Sequence, residues 1–176
     1  MTRIRCTLGT LSDAITEIER YRKKMERKLR TVMEKLADVG IREATARFGR
    51  AVYDGTNDVV VDKTPVWISK TKLAISASGK SITFIEFGSG VHYAAEGHPK
   101  AGEFGFNRGG FGYHLGKQDS WRYEGNPGTN GKVITTGEHK GEIETHGNPA
   151  NRALYDAGKE MREQIAKIVE EVFGSD

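Results

Sequence analysis

Cysteine is almost missing from this sequence: Cys6 stands alone among 176 residues. One thiol excludes an internal disulfide and a cysteine-ligated zinc centre, and close to a terminus it reads as a small apolar residue. Long hydrophobic runs are missing too. No apolar segment approaches the roughly 20 residues that cross a bilayer, and no secretory apolar region follows Met1. The expectation is a chain made and used in a cytosol-like compartment, with no membrane partner. Internal repeats are absent. There is no His-Glu-x-x-His, and no Gly-Lys-Ser/Thr follows the Gly-rich stretch from Gly102 to Gly116, so that stretch is not a phosphate loop. An excess of one charge is also lacking. The 27 basic and 24 acidic residues give a net charge of +3, which permits weak attraction to nucleic acid and does not require it.

What remains is 36% hydrophobic and 29% charged, the balance of a soluble globular protein with a wet surface. The length suits a single domain, residues 1–176, with a core of its own. Residues 10–50 carry Leu11, Ile15, Ile18, Tyr21, Met25, Leu29, Val32, Leu36 and Val39 at spacings of three and four. That spacing predicts a long amphipathic helix with one narrow apolar stripe. Thr10 is a candidate cap, and Gly40 and Gly49 are candidate kink and stop points.

Over residues 58–88 the period becomes strand-like. "VVVDKT", "VWISKTKLAISAS" and "SITFIEF" predict a β-meander whose last strand, apolar on both faces, is central. Residues 97–144 hold most of the glycines and no helical stripe. Within them "WRY" and "KVITT" flank "NPGTNG", which predicts a β-hairpin. The aromatics Phe104, Phe106, Phe111, Tyr113 and Trp121 read as anchors of a Gly-rich arm that orders against a protein partner. Residues 148–173 form the closing helix, with Asn148 as N-cap and Pro149 at the first helical position. The fold class is therefore α+β: a long N-terminal helix and a C-terminal helix packed on a small antiparallel sheet, with a long Gly-rich loop or hairpin insertion.

Two clusters invite a functional reading. Glu86, His92, Glu96 and His98 bring together acid, base and metal-ligand types, but their spacing matches no standard metal or catalytic pattern. Glu86 reads instead as a hydrogen-bond acceptor for nearby Gly-Ser-Gly amides or a basic residue. No catalytic, cofactor or metal-binding residue is assigned. The second cluster is "RYRKKMERKLR", where Arg20, Lys23, Lys24, Arg27, Lys28 and Arg30 cover the outer helix face. They suit either non-specific phosphate contact or an acidic surface on a neighbouring subunit, for which Glu160, Glu163, Glu170 and Glu171 are candidates.

The sequence from Ile85 through Glu86, Phe87, Gly88 and Ser89 to Gly90, followed after a Gly-rich stretch by Pro149, Ala153 and Leu154, resembles the neck proteins of tailed bacteriophages. These are the head–tail joining, tail-completion or minor tail-component proteins. The likeness covers the chain from about Leu11 to Val172 apart from the insertion. It implies an α+β fold, self-assembly into a ring of about six subunits, and contact with other neck and tail proteins. It further implies a place in the virion at the portal–tail junction, assembled in the host bacterial cytoplasm, with no enzymatic activity. The alternative is a nucleic-acid-binding protein using the basic helix face.

Overall fold

The computed structural model describes residues 8–51, 57–93, 97–106 and 119–174. Helix α1 runs unbroken over Leu8–Arg50, about 65 Å at ~1.5 Å per residue. Helix α4, Ala153–Gly174, lies antiparallel along the second half of α1. Lys28 meets Phe173, Lys35 pairs with Glu171, and Arg47 pairs with Asp156. The two stripes mesh in two places. Val32 packs with Ile168 and Val172, while Ala44, Phe48 and Ala51 pack with Ala153, Ala157 and Ile85. Alanines at the second contact let the backbones approach around the fully buried Phe48. Gly40 does not interrupt α1. A Cβ there would lie 2.5 Å from Met161 Sδ and 3.0 Å from Ile75 Cδ1, so its small size serves close packing. The helix ends at Arg50, one residue past Gly49.

Three small antiparallel sheets complete the fold, which is α+β as expected. Strand β1 (Val60–Val61) pairs with β4 (Ala77–Ser78), and β2 (Val66–Ser69) pairs with β3 (Lys72–Ala74). The third sheet has the order β5–β7–β6, from Trp121–Tyr123, Ile143–Thr145 and Lys132–Val133. Two short helices, α2 (Ile82–Phe87) and α3 (Gly90–Tyr93), and a 3-10 turn at Ala101–Phe104 lie between the second and third sheets.

Four expectations need correction. "VWISKTKLAISAS" is not one strand: it turns at Lys70 and Thr71 and folds back as β2 and β3. "SITFIEF" is not a strand but helix α2. Its β-branched and aromatic residues favour a strand, yet burial follows a helix. Ile82, Ile85 and Glu86 face inward, while Thr83 and Phe84 are exposed. Context outweighs propensity here, because Asp58 accepts hydrogen bonds from the Lys80 and Ser81 amides (2.7 and 2.9 Å) and caps the helix from outside. "WRY" and "KVITT" do not pair with each other, since β7 lies between them. Finally, Asn148 is not the N-cap of α4. It forms a β-bridge with Ser89, and α4 begins four residues after Pro149.

Candidate assembly surfaces and the Glu86 junction

Glu86 leaves α2 pointing at the start of α4. The Leu154 amide donates to its Oε2 (2.8 Å) and the Tyr155 amide to its Oε1 (2.9 Å). An α-helix begins with unsatisfied N–H groups and the positive end of its dipole, and the Glu86 carboxylate answers both. It is an N-cap supplied from 68 residues away. The buried His98 lies beside it. The Lys100 amide donates to His98 Nδ1 (3.2 Å), which leaves Nε2–H to donate to Glu86 Oε1 (3.3 Å). The role as hydrogen-bond acceptor matches the sequence reading; the partners do not.

The rest of the motif seals the same junction. Ser89 and Asn148 exchange backbone hydrogen bonds of 2.8 and 3.2 Å, and the Asn151 amide donates to Ile85 O (2.8 Å). Gly88 and Gly90 have φ of 83° and 81°, a region that favours glycine. A Cβ on Gly90 would lie 2.3 Å from His146 O, and one on Gly88 would lie 2.8 Å from Asn148 O. The turn therefore lies between two helices and is pressed against backbone; it does not leave a sheet edge. Leu154 contributes its amide to Glu86 and its side chain to the core cluster.

The aromatic residues divide. Phe87 stacks on the buried Phe106 at 4.3 Å and lies 5.3 Å from Phe104. Phe106 is thus used within the chain and is not an anchor for a partner, whereas Phe104 stays exposed. Trp121 is half-buried in β5. Phe111, Tyr113 and Glu96 lie outside the described residues. An apolar cleft of about 400 Å³ beside Phe87 is lined by Ile82, Thr83, Lys100, Phe104 and Tyr155, with Glu86 and His98 at its wall. Both oxygens of Glu86 accept helix amides.

The candidate set of four is not brought together. Glu86 pairs with His98, while His92 joins Asp119 and His146 elsewhere on the surface. Asp119, His146 and the capping Asp58 carry no sequence signal, because only tertiary pairing makes them neighbours.

On α1 the surface is continuous. Arg20, Lys23, Arg27 and Arg30 line one shallow groove with Glu26. Arg30 also pairs with Glu34 (3.0 Å) and lies over the Trp67 ring at 4.6 Å. Lys28 turns to the end of α4, with its Nζ 5.5 Å from the Phe173 ring centroid. Arg22 pairs with Glu26 at 3.6 Å. Beyond the half-buried Met25, every position of α1 from residue 24 back to residue 9 is exposed. Residues 9–24 of this helix extend over about 24 Å, and Leu11, Ile15, Ile18 and Tyr21 on it are exposed, Ile18 by 68%. Compared with known proteins, the chain matches no family model, no curated protein and no solved structure.

Proposed function

We propose that this chain is a structural subunit of a tailed-bacteriophage neck, assembling with copies of itself into a ring at the head–tail junction. The observation that carries the self-assembly is the exposed stretch of α1 over residues 9–24. A lone helix of this length is marginal in water, and an apolar stripe left open marks an interaction surface. A second copy is the occupant argued for. The open stripe continues the stripe that already packs on α4. The outer face of α4 offers exposed Ile165 and Val169 next to Glu170, apolar and acidic where the projecting helix is apolar and basic. The place in a phage neck rests on the likeness of Glu86-Phe87-Gly88-Ser89-Gly90 and Pro149 to Leu154. The capping role of Glu86 supports a scaffold and not a catalyst, since its carboxylate is committed to folding.

A double substitution, Ile15→Glu with Ile18→Glu, tests this in sedimentation velocity. Both positions lie beyond α4, so helix content should stay while the oligomer dissociates to a monomer. Unchanged sedimentation of the variant would refute the interface. A second reading, non-specific nucleic-acid contact, is favoured by Arg20, Lys23, Arg27 and Arg30 sharing one groove. A ring around a DNA passage would combine the two.

A further inference from the structure

His92 belongs to α3, Asp119 lies just before β5, and His146 directly follows β7. Backbone contacts hold the three together. The β5–β7 register pairs Trp121 with Thr145, which sets Asp119 opposite the segment containing His146. Gly90 lies against the carbonyl of His146 so closely that a Cβ would be 2.3 Å from it, and this brings α3 and His92 to the same spot. His92 Nε2 lies 2.5 Å from Asp119 Oδ1, and His146 Nδ1 lies 3.5 Å from Asp119 Oδ2. One ligand atom from each of the three falls within 4.8 Å of the others, the only such group of His, Cys, Asp and Glu among the described residues.

We propose that His92, Asp119 and His146 bind a divalent transition-metal ion of the zinc class. Two imidazoles and one carboxylate are borderline-soft N and O donors of the kind zinc takes. Around a tetrahedral zinc, ligand atoms ~2.0–2.1 Å from the metal stand about 3.4 Å apart. The 3.5 Å pair already fits that spacing, and the 2.5 Å pair has only to open by rotation of exposed side chains. Among the described residues Asp119 pairs only with these two imidazoles, so no Lys or Arg there competes for its charge. Without metal, His146 Nδ1–H donates to the Asp119 carbonyl at 3.0 Å; an ion at Nδ1 would take the place of that proton and that bond, so metal uptake releases a proton. Three protein ligands leave a fourth position for water or for a donor from another molecule. An ion here ties the chain before the Gly-rich insertion, at His92, to Asp119 within it, 27 residues on, and to His146 just after it, a further 27 residues on.

The test is titration of the full chain with zinc chloride by calorimetry at neutral pH, repeated with cobalt(II) to read its visible absorption. The expected result is one ion per chain, reversed by chelator, with a cobalt band and a rise in melting temperature on zinc addition. His92→Ala and His146→Ala should each weaken binding by at least about tenfold. His139→Ala should not, because His139 pairs with Glu142 instead. Asp119→Asn keeps the side-chain shape and guards against a folding defect: its metal-free melt should match wild type while the zinc-induced rise disappears. Absence of stoichiometric uptake by wild type overturns the proposal. So does full uptake by the His92→Ala/His146→Ala double variant, which would place the ion elsewhere.

Discussion

Two carboxylates, Glu86 and Asp58, each cap a helix that is not their own. Glu86 holds the first amides of α4, and Asp58 holds the two amides that lead into α2. Hydrogen bonds to a charged group contribute about 1.5–3 kcal/mol each, and Glu86 is almost fully buried. Glu86→Ala should therefore lower unfolding stability by roughly 3 kcal/mol in urea denaturation, and Glu86→Gln by less, because one amide oxygen can still accept. Equal stability of Glu86→Ala and wild type would show that α4 needs no external cap. Asp58 adds a pH dependence. Its carboxyl is held below the ordinary value by hydrogen bonds from the backbone amides of Ser81 and then Lys80. A lowered folded-state value means that this contribution is complete above the unfolded carboxylate range, about pH 4, and is lost as pH falls through the folded value. Asp58→Asn should flatten the acid side of the stability profile, measured by thermal melts between neutral pH and about pH 3. That Glu86 serves structure by accepting hydrogen bonds was legible in the sequence, since a carboxylate inside an apolar run needs donors. Which donors was not legible, because the amides that answer it lie 68 and 69 residues further along.

The long helices were the most legible elements. The spacing of Val32, Leu36 and Val39 on α1 and of Ala157, Ile168 and Val172 on α4 gave the helical period and the packed side, although Leu29 and Ile165, read on the same stripes, are exposed. Short elements were not. Six residues, Ile82–Phe87, carry strand composition and helix burial, and the external cap that decides between the two is invisible locally. The third sheet was misread for a related reason: β7 is only "IET", yet it occupies the centre and separates two strands that local turn signals would join. The Gly88–Gly90 turn connects these elements, and its cost can be measured. Gly90→Ala places a side chain in the left-handed region and onto a carbonyl, and should lower stability by at least about 2 kcal/mol. Gly97→Ala also has positive φ but meets nothing within 4 Å, so it should cost less, about 1–2 kcal/mol from backbone conformation alone. Thermal melts of the two variants separate contact from conformation; equal losses would show that the close approach at Gly90 is unimportant.

At the scale of the whole molecule, residues 9–24 of α1 are exposed throughout, and the identity of the partner for that stretch decides what the protein does. If the basic groove meets nucleic acid, replacing Arg20, Lys23 and Arg27 with Gln should leave oligomer mass unchanged. DNA affinity should then fall, with the salt slope flattening by about one unit per lost phosphate contact. If the groove meets the acidic face of a neighbour, the same substitutions should weaken assembly, and DNA binding should be absent throughout. The assembly outcome is expected to dominate, because a net charge of +3 is small for a dedicated DNA binder. The central claim is that the projecting helix exists to join copies of this chain in a closed ring. The native mass of the full-length protein at micromolar concentration tests it most directly. The account predicts one closed species of about six subunits, stable on dilution and lost in the Ile15→Glu/Ile18→Glu variant. A monomer at every concentration would contradict it.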